Sequence, residues 1–152
     1  MSIEITNESL EDVDTARVLK LASFVRGELK LHELVELGVT FIDEGPMADL
    51  HIKWMDEPGP TDVLSFPMDE LRPGSDMSNP SEGILGDIVV CPQVAIKQAI
   101  AANHETMNEI LMLVTHGMLH LVGFDHAKPE EETEMFSLQR KLLADFYEGE
   151  KK

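Results

Sequence analysis

Residues Thr115 to His126 read T-H-G-M-L-H-L-V-G-F-D-H and hold three of the chain's six histidines, His116, His120 and His126. On a helix, His116 and His120 sit about 40° apart on one face and roughly 6 Å apart along the axis. Gly123 offers a residue able to take positive φ and end the helix, so that the chain turns back and His126 approaches the same point from outside. Two helical imidazoles and a third after a glycine turn can hold a divalent metal with one position left open. As ordinary helix-end histidines they would favour the negative end of the dipole, which gives no reason for their regular spacing.

Neutral imidazole suits zinc above the hard cations. With three protein ligands, the fourth position takes water and lowers its pKa towards ~7, which makes hydrolysis the natural chemistry. Structural zinc sites are usually closed by four cysteine-rich ligands, and the single Cys91 lies far from the cluster. H-x3-H-x2-G-x2-H also matches the zinc stretch of metzincin proteases, H-E-x-x-H-x-x-G-x-x-H. The protease's general-base glutamate is here Gly117, which argues against peptide hydrolysis. The deaminase pattern of H-x-E and P-C-x-x-C is absent as well.

The elements that must position these residues follow from periodicity. Ile3 and Ile5 alternate with polar neighbours as a short strand, and Asn7 and Ser9 offer caps for a helix carrying Val18, Leu21, Ala22, Val25 and Leu29 on one stripe. Leu37 to Ile42 reads as a second strand, closed by Gly45-Pro46. A helix begins near Pro46, carries Ala48, Leu50, Ile52 and Met55, and stops at Glu57-Pro58-Gly59-Pro60. Val63 to Phe66 is a third strand, 69–83 a long loop rich in breakers, and Ile84 to Cys91 a fourth strand interrupted by Gly86-Asp87. An aspartate in an otherwise buried strand needs a partner, either a turn or backbone amide or a role beside the site. Pro92 starts a helix to Asn103. Thr106 or Asn108 caps the next, whose Ile110 to Val114 run is apolar on every side and therefore central. Pro129 and the acidic turn after it open a last helix through Phe136, Leu138, Leu142, Leu143 and Phe146. The order β-α-β-α-β-β-α-α-α predicts an α+β fold: a small mixed sheet with helices packed against it, one of them a metzincin-like zinc helix.

At 152 residues the chain is expected to be one domain, 1–152. The longest apolar run falls far short of the ~20 residues that cross a bilayer as a helix, and M-S-I-E-I-T-N-E lacks the regions of a signal peptide. One cysteine makes no internal disulfide, and the expected location is the cytoplasm. A net charge of −17 argues against broad affinity for nucleic acid or anionic membrane, though not against a local site. Arg17, Lys20, Arg26 and Lys30 lie largely off the first helix's apolar stripe, as a solvated face does.

His116 to His126 resembles the H-G-x-L-H-L-x-G-[YF]-D-H stretch of the YbeY-type endoribonucleases at every fixed position. Thr61 to Pro67 (T-D-V-L-S-F-P) and Leu85 to Cys91 (L-G-D-I-V-V-C) resemble that family's other signatures, in the same order, over nearly the whole chain. The resemblance implies one Zn2+ per chain on His116, His120 and His126. It also implies single-strand-specific cleavage of rRNA precursors, notably at the 3′ end of 16S rRNA, and ribosome quality control with the small ribosomal subunit and its proteins. RNA rather than DNA is then the expected substrate, and no membrane partner is expected. Many members carry arginine six residues before the signature threonine; here that position is Met55, and Lys53 or Arg72 are the cations that could substitute. Asp87 and Asp125 are the candidate bases, with Asp125 equally able to orient a ligand imidazole. The alternative function is a ribosome-assembly factor with a structural metal and little nuclease activity of its own, which the acidic charge and Met55 favour.

Overall fold

The apolar spacing becomes nine elements in the computed structural model, which describes residues 2–57, 59–69, 83–125 and 127–151. In chain order they are β1 (Ile3–Asn7), α1 (Thr15–Glu28), β2 (Glu36–Phe41), α2 (Glu44–Met55), β3 (Val63–Pro67), β4 (Ile84–Val90), α3 (Pro92–Ala102), α4 (Thr106–Leu121) and α5 (Pro129–Glu150). The strands form a mixed sheet in the order β1-β2-β4-β3, with β1, β2 and β4 parallel and β3 antiparallel to β4. The predicted α+β architecture is the one observed. His126, Arg72 and most of the predicted 69–83 loop lie outside the described residues, as does Pro58 of the predicted stop.

α4 is the central helix, packed against α1, α3, α5, β3 and β4. Ile110, Leu111, Leu113, Val114, Met118, Leu119 and Leu121 are all buried, and each such side chain contributes about 1.5–3 kcal/mol relative to exposure. That anchorage fixes the rotation of the helix and so the direction in which His116 and His120 point. The helix ends in a Schellman turn at Gly123 (φ 100°). The Gly123 amide donates to the His120 carbonyl at 3.0 Å, and the Phe124 amide donates to the Leu119 carbonyl at 3.0 Å. Gly123 therefore terminates the helix as its sequence predicts.

Several local expectations differ. Asn7 and Ser9 do not cap α1. Asn7 ends β1 and its Oδ1 accepts from the Ser9 amide and hydroxyl, whereas α1 is capped by Asp14, which accepts from the Arg17 amide at 3.1 Å. Asn7 closes a local turn, and the helix starts only where apolar spacing resumes. α2 begins at Glu44, so Gly45-Pro46 lies inside its first turn, where a missing N–H costs nothing. Of the apolar residues it was expected to carry, Ile52 and Met55 are exposed, and its fully buried residue is Met47. α4 is preceded by Glu105 at its cap position, without a side-chain capping bond, rather than by Thr106 or Asn108. Arg17 is committed to Glu150 through two bonds of 2.8 and 2.9 Å, and Arg26 to the Ser2 hydroxyl and the Val35 carbonyl, so neither belongs to a purely solvated face.

Candidate active site: a paired-imidazole cleft

His116 and His120 share the floor of a cleft of about 440 Å³ between α4 and β3. Their Nε2 atoms are 3.1 Å apart and their rings are nearly perpendicular, at 83°. His116 Nδ1 lies 2.8 Å from Gln139 Oε1, a carbonyl oxygen that can only accept, so Nδ1 carries the proton and Nε2 presents its lone pair. Gln139 is 5% exposed on α5, and Phe136, one turn earlier on that helix, stacks on the His116 ring at 5.6 Å and 22°. The ring is thus held by a hydrogen bond on one edge and by an aromatic face.

β3 is an edge strand and forms the opposite wall with Val63, Leu64, Ser65 and Pro67. Ser65 Oγ donates to the Gly117 carbonyl at 3.2 Å, tying the wall to the histidine helix. A Cβ on Gly117 would sit 3.1 Å from Ile88 and from Ser65 Oγ. A side chain at that position would point into the sheet rather than into the cleft. Gly117 lets α4 lie close to β3 and β4, and that packing is a positive reason for the residue beyond the absence of a glutamate.

Asp62 also lines the cleft, and among its described lining residues it is the one carboxylate. Oδ1 accepts from the Val63 amide at 2.7 Å and Oδ2 from Gln98 Nε2 at 3.1 Å. Asp87 is exposed, not buried. A Cβ on the neighbouring Gly38 would collide with its carboxylate, while the next residue, Ile88, faces Gly117. Strand alternation places Asp87 on the far face of the sheet, out of reach of the imidazoles. Asp125 is exposed and immediately precedes His126. Lys53 is exposed on the last turn of α2, with Nζ 5.4 Å from the Trp54 ring centroid, and Met55 on that same turn reaches the cleft.

Among the described residues no three His, Cys, Asp or Glu side chains converge on one point, and His126 is not among them. The described donors fit a borderline divalent cation. They are imidazole nitrogens 3.1 Å apart, near the roughly 3.3 Å spanned by two ligands about 2.0–2.1 Å from a tetrahedral centre. Asp62, Gln139 and Phe136 were not singled out from sequence as parts of the site. Gln139 carried a usable signal, since a polar residue on the stripe Met135, Leu142 and Phe146 must find a partner when buried. Asp62 falls inside the T-D-V-L-S-F-P stretch.

Fold and cleft together define an α+β protein whose central helix offers two adjacent imidazoles beside an edge strand. The family model described as Endoribonuclease YbeY matches residues 3–147. The chain is 58% identical over 151 residues to the Endoribonuclease YbeY of Clavibacter sepedonicus, covering 99% of each chain. It is also 58% identical over 149 residues to that of Beutenbergia cavernae, covering 98% of this chain and 99% of the relative. The solution structure of TM1509 from Thermotoga maritima superposes with a TM-score of 0.66 at 26% identity, covering 98% of this chain and 91% of that one. The chain belongs to the YbeY endoribonuclease family, and its activity class is cleavage of RNA within the strand. No helix among the described residues is long and apolar enough to cross a membrane.

Proposed function

We propose that the chain is a cytoplasmic, zinc-dependent, single-strand-specific endoribonuclease that trims rRNA precursors, notably the 3′ end of 16S rRNA. In this reading it works in ribosome maturation and quality control together with the small ribosomal subunit and its proteins. His116, His120 and His126 would hold one Zn2+, which when bound supplies Lewis-acid polarisation of a phosphodiester oxygen. The observation that carries the reading is the pair of Nε2 atoms 3.1 Å apart, one fixed in its tautomer by Gln139.

The chain's own groups do the rest. The Gln139 carbonyl keeps the proton of His116 on Nδ1, and the Phe136 ring keeps the imidazole from turning. Asp62, held by Gln98 and by the Val63 amide, faces the cleft as the carboxylate positioned to accept a proton; it replaces Asp87 in that role. The attacking group is water or the ribose 2′-OH. An RNA with a single 2′-deoxy sugar at the scissile position separates the two, because undiminished cutting eliminates attack by the 2′-OH.

The test is cleavage of single-stranded rRNA fragments by protein with and without zinc, beside His116→Ala. Zinc-restored cleavage that disappears in His116→Ala is the expected result. Cleavage that survives chelation or the substitution overturns the metal mechanism. Tight zinc binding without cleavage would instead support an assembly factor with a structural metal, the reading that the acidic charge favours.

A further inference from the structure

An RNA-cutting protein with 12 basic and 29 acidic residues has little general electrostatic attraction to offer a polyanion. Two of the few arginines, Arg17 and Arg26, are already bound internally. Affinity for RNA must come from contacts that work without net charge, and base stacking is one of these.

Three of the exposed large apolar side chains lie at the end of α2 and just after β3. Trp54 is 57% exposed, Met55 50% and Met68 63%. The first two lie on the last turn of α2, and Met68 directly follows β3. Met55 and Pro67 line the same cleft as His116 and His120, and Trp54 and Met68 are their immediate chain neighbours. A large exposed indole beside a site is a binding feature rather than a packing one. The Trp54 ring meets Phe66 edge-on at 5.9 Å and 71°, which steadies it against β3 while most of it stays in solvent. Lys53 Nζ lies over the ring, 5.4 Å from its centroid, and as an exposed, flexible side chain it can swing off that face to meet the phosphate of a stacked nucleotide.

We infer that Trp54 is a nucleobase-stacking subsite for the RNA substrate, with Lys53 countering the adjacent phosphate and Met55 giving the apolar border where the base meets the cleft. The inference rests on the chain's being a ribonuclease and supplies a physical basis for single-strand preference. A base inside a duplex is already stacked on its neighbours, whereas an unpaired one offers a free face to the indole. An apolar border also gives Met55 a role different from that of a cation.

Trp54 is the only tryptophan in the chain, so its fluorescence reports the subsite directly. The experiment titrates metal-free protein, which needs no turnover, with a short unpaired RNA oligonucleotide and with the same sequence as a blunt duplex. The expected result is saturable quenching by the unpaired strand and none by the duplex. With zinc restored, Trp54→Ala should raise KM on single-stranded RNA by about 5- to 150-fold, the loss of one stacked base, with the effect falling on KM rather than kcat. Trp54→Phe should recover most of it, and the urea midpoints of both variants should stay at the wild-type value. Unquenched fluorescence, or an unchanged KM in Trp54→Ala, overturns the subsite. An emission shift that depends on protein concentration without RNA also overturns it, assigning these apolar side chains to self-association. If quenching is seen but the zinc-loaded protein cuts nothing, the subsite stands and the nuclease reading fails.

Discussion

Nδ1 of His116 lies 2.8 Å from Oε1 of the buried Gln139, the contact that decides which imidazole nitrogen faces the cleft. Replacing Gln139 with Leu should weaken zinc binding by about 10- to 100-fold, measured by chelator competition. Gln139→Glu keeps an acceptor and should retain affinity. In metal-free protein, the nitrogen-15 shifts of His116 should report the Nδ1-protonated tautomer in wild type and a tautomer mixture in Gln139→Leu. An unchanged tautomer would show that Gln139 merely fills space.

Gly117 packs α4 onto the sheet, with Ile88 and Ser65 Oγ 3.1 Å from any added Cβ. Alanine gains about 1 kcal/mol of helix propensity and loses about 1–3 kcal/mol to overpacking, so Gly117→Ala should lie near or modestly below wild-type stability. Gly117→Glu gains less and must also bury a carboxylate against the fully buried Ile88. It should be the more destabilised of the two in urea denaturation, and equal midpoints would refute the packing account.

His104 Nε2 bonds Glu109 Oε1, and that glutamate is 4% exposed at the start of α4. His104→Ala leaves the buried carboxylate without this partner and should cost about 1–3 kcal/mol. The double variant His104→Ala with Glu109→Leu should recover part of the loss, because the polar group itself is then gone. A denaturation cycle over the four proteins gives the coupling directly.

Arg17 joins α1 to the end of α5 through Glu150, and the guanidinium holds the Glu150 carboxyl below its ordinary pKa. A depressed folded-state value means that the contribution is present above the unfolded carboxylate pKa and fades as pH falls through the folded one. The pair is partly exposed, so its worth is under about 1 kcal/mol. Glu150→Gln should therefore match wild type in strong acid and fall slightly below it at neutral pH, by thermal denaturation. A larger difference in acid than at neutrality would contradict the assignment.

The order of elements was legible because each carries its own period: alternating Ile3 and Ile5 in β1, the i, i+3, i+4 stripe of α1, and the all-round apolar run of α4. Element ends were less so. Asn7 and Asp14 are both good capping residues, and only the chain's path decides which one meets free helix amides. The buried setting expected for Asp87 failed for a related reason: the burial of a strand residue depends on what covers each face of the sheet, and the sequence of the strand alone does not record that.

By itself, the sequence determined the histidine spacing, the glycine that ends their helix, the α+β order and the family, since all of these reside in residue type and separation along the chain. Only the tertiary structure decided that Gln139 from α5 sets the tautomer of His116, that Asp62 rather than Asp87 faces the cleft, and that Met55, next to the exposed Trp54, lines it. The first joins residues 23 positions apart, and all three depend on how helices and strands pack, which no local period encodes.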